Sequence, residues 1–119
     1  VGTVNQTNKN LHIGFRTEES MGLFFGFYNN DLESTFTGLA EWCVMTFTFD
    51  NESKERASYV NGDKISQDTS PSSYIGNGNL IIGKRVDDNI FLTKIIDDVR
   101  IYDRALSAAE VQALYNLGQ

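Results

Sequence analysis

Apolar side chains in this chain recur at every second position in short runs, and helical periodicity is confined to one stretch near its end. In residues 11–16, Leu11, Ile13 and Phe15 fall on one side and His12, Gly14 and Arg16 on the other. Residues 21–28 repeat the pattern, with Met21, Leu23, Phe25 and Phe27 set against Gly22, Phe24, Gly26 and Tyr28. In residues 42–50, Cys43, Met45, Phe47 and Phe49 alternate with Trp42, Val44, Thr46 and Thr48. Successive side chains of a strand point to opposite faces, so each run carries one face to bury. Short strands divided by polar turns predict an all-β, antiparallel two-sheet sandwich. Asn61-Gly62 is the strongest hairpin signal and joins residues 56–61 to 64–67. Asn29, Asn30 and Asp31 predict another turn, because asparagine tolerates left-handed backbone. Residues 1–10 are polar and read as loose chain or an edge strand. Residues 68–78 read as a loop rich in Ser, Thr and Gly with one aromatic, Tyr74.

The stretch 95–115 combines both periodicities. Residues 95–102 predict a strand with Ile95, Val99 and Ile101 on one face; Asp97 shares that face, so as a buried carboxylate it should reach backbone N–H groups or Arg104. A helix of about ten residues follows. Its start signal is complete: Ser107 as N-cap, Glu110 to close a capping box, and Leu106 and Val111 as a hydrophobic staple. Leu117 and Gly118 end it. So short a helix must dock on something to persist, and the expectation is that it closes the sandwich.

Charge narrows the function classes. Ten Lys and Arg against 16 Asp and Glu give a net charge of −6 with no basic run, which argues against nucleic acid as a partner. The longest apolar stretch, residues 23–28, is far too short for a spanning helix, so membrane insertion is not expected. No signal peptide is visible. A single cysteine, Cys43, excludes an intrachain disulfide and cannot build a zinc site with the single histidine, His12. Cys43 reads as a small buried hydrophobe, and Trp42 as a packed edge of the core rather than a sugar platform.

Four ordered stretches carry a family resemblance: WCVMTFTFD at 42–50, YVNG at 59–62, NLIIG at 79–83 and IDDVRIYDRALSAAEVQALY at 96–115. They resemble the laminin-G-like domains of the concanavalin A-like lectin/glucanase superfamily. The resemblance implies a concanavalin A-like jelly-roll sandwich with one short C-terminal helix, and a single domain over residues 1–119 without the family's first strands. Residues 79–84 read as a buried strand. Where family members often place a glycine before the IDD, this chain has Lys94, so the match is imperfect at that bend. Sheet edges left bare by absent strands would need a cover, which a homo-oligomer provides. The opening residue, Val1, fits a processed chain.

Function follows from the resemblance only as far as a class. Hydrolases of the superfamily need two carboxylates flanking the scissile bond, from acids spaced along one strand face. Glu18-Glu19, Asp87-Asp88 and Asp97-Asp98 are adjacent pairs, which point to opposite faces if they lie in strands, so no enzyme is expected. The related pentraxins bind calcium through loops that match Glu18 and Glu19 and Asp87 and Asp88, which makes these four the candidate calcium ligands. A binding module for a glycan or an extracellular protein is the leading expectation, placed outside the cell or at its surface. Sugar recognition needs an aromatic face beside planar polar groups. His12, Arg16, Phe24 and Tyr28 supply these on the sheet, and Asn29, Asn30, Asp31 and Tyr74 on the loops. Gly22 and Gly26, beside Phe24 and Tyr28 on one face, suggest close approach by a backbone or a ligand there, or a neighbouring element packed over that face. The competing expectation is a structural, self-associating accessory domain with no small ligand.

Overall fold

A computed structural model describes residues 1–3, 5–16, 22–36, 41–84 and 90–118, with Arg16 through its backbone alone. Among the described residues six strands form two antiparallel sheets of three. The first sheet holds β1 (His12–Arg16), β2 (Gly22–Gly26) and β3 (Asp31–Thr35) in that order. The second holds β4 (Met45–Phe49), β5 (Glu55–Val60) and β6 (Asp63–Thr69). One helix, α1 (Ala108–Leu117), follows. Among the described residues no helix is long and apolar enough to cross a membrane.

The period-two pattern sets which faces meet. Ile13 pairs with Phe25 and Phe15 with Leu23, so these side chains share the inner face, as the alternation predicts. Phe47 opposes Ser58 and Phe49 opposes Arg56 on the second sheet. The two inner faces join through aromatic contacts: Phe25 to Phe47 at 5.6 Å between ring centroids, and Phe27 to Phe49 at 4.7 Å and 71°. Leu23, Phe25, Phe27 and Leu32 are buried there. The Asn61-Gly62 hairpin forms as predicted, with φ of 53° and 86° at the two turn residues and Val60 opposite Asp63.

Residues 1–3 and 5–10 lie along an edge. Gly2 bridges Asn10, and the Val1 ammonium donates to the Leu11 carbonyl at 2.7 Å. Thr3 N–H donates to the Lys9 carbonyl at 2.8 Å.

The helix start is built as expected. Glu110 N–H donates to Ser107 Oγ at 3.3 Å, and Ser107 N–H donates to Glu110 Oε2 at 2.8 Å. Leu106 and Val111 are buried in one cluster with Ala57 and Tyr59. Ala57 and Tyr59 lie on the face of β5 opposite to Ser58 and Arg56, so the helix covers the outer face of the second sheet rather than closing the space between the sheets.

Further expectations are corrected. Residues 95–102 and 79–84 form no strand: both lie exposed as irregular chain, with Ile95 80% and Ile101 73% exposed. Local bonds hold the first of these out of extended geometry. Asp98 adopts φ 52°, Asp97 Oδ1 accepts the Asp98 N–H at 2.8 Å, and Arg100 grips the Asp98 carboxylate at 2.8 and 3.0 Å. Asp97 is therefore exposed, and Arg104 pairs with Glu110 instead. Trp42 is 71% exposed and precedes β4, which begins only at Met45. Cys43 is half-buried, and that burial pushes its thiol pKa up, away from thiolate reactivity. An opening of about 720 Å³ runs along β4, lined by Phe25, Phe47, Ile101 and Leu114 among others.

Candidate functional site

The outer face of the first sheet is arranged in cross-strand rows. His12, Gly26 and Asp31 oppose one another across β1, β2 and β3, and so do Gly14, Phe24 and Glu33. With hydrogen in place of a side chain at Gly26, the Asp31 carboxylate lies across the glycine; an added Cβ would stand 1.8 Å from Asp31 Oδ1. That close approach brings His12 Nε2 within 3.0 Å of Asp31 Oδ1. The Phe24 ring lies over Gly14 in the same way, its tip 2.7 Å from where a Cβ would sit. Phe24 and His12 meet edge to face at 5.2 Å and 65°. The glycine pattern thus reflects side chains of the same sheet packed across it. Its product is one aromatic ring beside a histidine–carboxylate pair on a shared surface, with His12 and Asp31 side chains 27% and 20% exposed.

The remaining candidates divide. Tyr28 leaves the strand face. Tyr28 and Asn29 are the two central residues of the β2–β3 turn, at φ 65° and 54°, and Phe27 N–H donates to the Asn30 carbonyl at 3.0 Å. This is the left-handed pair of a type I′ turn. Asn29 is exposed at its tip and reaches Thr7 Oγ1 at 3.4 Å. Asn30 turns inward and is 6% exposed; its Nδ2 donates to Asn8 Oδ1 and Ser70 Oγ, both at 2.8 Å. Tyr74 packs on Phe27 at 5.3 Å, and its hydroxyl donates to the Val1 carbonyl at 2.9 Å, which fastens the N-terminal edge. Burial raises the Tyr74 pKa. Asn30 and Tyr74 thus hold the frame, whereas His12, Phe24 and Asp31 are gathered on one surface. Arg16, the last residue of β1, pairs through its backbone with Gly22 of β2.

Glu18, Glu19, Asp87 and Asp88 lie outside the described residues. Among the described residues no three His, Cys, Asp or Glu side chains gather as a metal site.

A second concavity escaped the sequence pattern. A groove of about 340 Å³ runs between the outer face of the second sheet and the start of α1, lined by Asp50, Glu55, Tyr59, Lys64, Gln67 and Ser107 among others. Asp50 accepts the N–H groups of Ser53 and Glu52, each at 2.8 Å, and these bonds hold its carboxyl below the usual range. Lys64 donates to Gln67. No sequence motif marks this groove, because it depends on where the helix docks.

Comparison with known proteins places this architecture. A family profile described as the concanavalin A-like lectin/glucanases superfamily, of the third laminin G type, matches residues 1–112. The chain belongs to this superfamily. Its two antiparallel sheets and C-terminal helix agree with the sandwich of that family. A crystal structure of an S-layer domain-containing protein from Clostridium thermocellum, residues 221–444, is similar in fold, with a TM-score of 0.50 and 21% sequence identity. The match covers 96% of this chain and 59% of that one, so the laminin-G-like chain spans well under two thirds of its structural neighbour. No curated protein matches it.

Proposed function

We propose that this laminin-G-like domain is a non-catalytic binding module acting outside the cell or at its surface, with a glycan as its ligand. The observation that carries the reading is the surface of the first sheet, where the Phe24 ring stands beside the His12–Asp31 pair at 5.2 Å and 3.0 Å. An aromatic ring takes the C–H face of a sugar, and an imidazole and a carboxylate side by side bond neighbouring hydroxyls. Membership of a superfamily that includes lectins supports the ligand class. The structural neighbour is an S-layer domain-containing protein, which supports the location. The acidic pairs Glu18-Glu19 and Asp87-Asp88 remain the proposed calcium ligands.

A glycan array probed with the purified chain, once in calcium and once in chelator, tests both parts. Retention of a defined glycan family that is lost in Phe24→Ala and Asp31→Asn supports the site. No retention in either condition sinks the lectin reading. A melting temperature identical in calcium and chelator removes the metal.

A further inference from the structure

We propose that Asn77 is a site of spontaneous deamidation, and that its conversion loosens the N-terminal edge of the domain. The chain holds two Asn-Gly pairs, Asn61-Gly62 and Asn77-Gly78. The reaction needs a following backbone N–H that no side chain crowds, an asparagine amide free to turn toward it, and water. Glycine, having no Cβ, meets the first condition at both places. The fold separates the two on the second.

Asn61 is held. It sits at φ 53° in its hairpin turn, its Oδ1 accepts the Val44 N–H at 2.9 Å, and its own N–H donates to the Val44 carbonyl at 2.8 Å. Gly62 is buried, with the Gln112 side chain packed where a Cβ would stand. Turning the Asn61 amide onto the Gly62 nitrogen breaks the bond from Val44 and distorts the turn. Asn77, by contrast, is exposed in irregular chain, and among the described residues no hydrogen bond engages its amide or the Gly78 N–H.

The step balances with water alone. The Gly78 nitrogen gives its proton to hydroxide and bonds to Asn77 Cγ; the Cγ–Nδ2 bond breaks as Nδ2 takes a proton from water and leaves as ammonia, which closes a cyclic imide. Water then opens the imide. Attack at Cγ restores the ordinary chain with an aspartate, whereas attack at the Asn77 main-chain carbonyl carbon leaves an isoaspartate, whose main chain runs through Cβ and is one methylene longer. Either product adds one negative charge to the −6 of the chain. The added methylene falls at a close fit. Gly76 lies against the Lys9 carbonyl, and a Cβ at Gly78 would stand 3.3 Å from the Gly2 nitrogen. Ile75 N–H donates to the Asn8 carbonyl at 3.0 Å, and the Tyr74 hydroxyl fastens Val1. A longer main chain at residue 77 pushes one of the flanking glycines off this edge.

Incubation of the folded chain in warm, mildly alkaline buffer, followed by tryptic mass spectrometry, tests the site. Cleavage after Arg56, Lys64 and Lys84 puts Asn61 and Asn77 in separate peptides, 57–64 and 65–84, and fragmentation tells Asn77 from Asn79. Asn77 should convert at least about fivefold faster than Asn61, the factor that about 1 kcal/mol of a retained hydrogen bond supplies. In urea, where the fold is lost, the two rates should meet. The isoaspartate form, isolated by chromatography, should melt below the parent, whereas Asn77→Asp, with an ordinary main chain, should melt close to it. Equal or faster conversion at Asn61 in the folded chain overturns the site, as does a difference that persists in urea. An isoaspartate form that melts with the parent overturns the loosening of the edge.

Discussion

The Arg56 guanidinium donates through Nη1 to the Asn30 carbonyl at 2.7 Å, so a side chain from the middle strand of one sheet holds the turn of the other. Its Nε and Nη2 grip Asp68 at 2.6 and 2.7 Å, and its plane lies 5.6 Å from the Phe27 ring. Arg56 is 2% exposed and Asp68 36%. Removing one partner of such a pair leaves a buried charge without its counterion. Asp68→Asn should destabilise the domain by about 3 kcal/mol, whereas Arg56→Met with Asp68→Leu should lose much less, because both charges leave together. Urea unfolding of the two variants and the parent provides the test. A shift below about 0.5 kcal/mol for Asp68→Asn would mean the bridge holds nothing.

Gly26→Ala addresses the proposed binding surface from beneath. The new Cβ would lie 1.8 Å from Asp31 Oδ1, so the carboxylate must swing off His12 or the strands must part. The expected result is a loss of about 1–3 kcal/mol of stability together with loss of any glycan retained by the parent. Gly14→Ala is the milder companion, since it meets only the tip of the Phe24 ring. Equal glycan binding by parent and Gly26→Ala would separate the His12–Asp31 pair from the site.

Which parts of this fold were legible follows from how local their causes are. The inward sets Phe15, Leu23, Phe25 and Phe47 were readable because alternation and burial share one period, whereas Ile13 keeps their register and is 49% exposed at the opening along β4. The Ser107–Glu110 capping box was readable because all its partners lie within one helical turn. Residues 95–102 misled because alternation shows only that a segment can make a strand, while pairing requires an edge; here Asp97, Asp98 and Arg100 bond one another instead. Asn30 and Asn29 look alike in sequence, yet one is buried under Ser70 and the other exposed, a difference set by a residue forty positions away. The groove beneath α1 was invisible for the same reason.

The helix start makes a pH prediction. Arg104 reaches both Glu110 oxygens, at 2.6 and 3.0 Å. The Arg104 bonds, followed by those from Ser107, pull the Glu110 pKa from an ordinary 4.5 to about 2. A carboxylate whose pKa falls on folding contributes stability in full above its unfolded value, and that contribution fades as pH drops through the folded one. Comparing melting temperatures of the parent and Glu110→Gln, the gap should be constant above pH 4.5 and should close toward pH 2. High salt should narrow it at every pH, because the pair is exposed. A gap that widens with acid would reverse the assigned direction.

Two I′ turns among the described residues invite a direct comparison. Asn61-Gly62 places at φ 53° and 86° the residues that tolerate left-handed backbone best. The β2–β3 turn instead puts Tyr28 at φ 65°, where an aromatic side chain crowds its own backbone. Left-handed geometry costs a residue of this kind about 1–2 kcal/mol, and asparagine relieves part of that by bonding locally. Tyr28→Asn should therefore raise stability by about 0.5–1 kcal/mol. The reverse change at the other turn, Asn61→Tyr, should lower it, and should further forfeit the bond that Asn61 Oδ1 accepts from Val44 N–H at 2.9 Å. Thermal melts of the two variants decide the matter. If Tyr28→Asn melts below the parent, the half-buried ring contributes more through packing than its backbone strain removes.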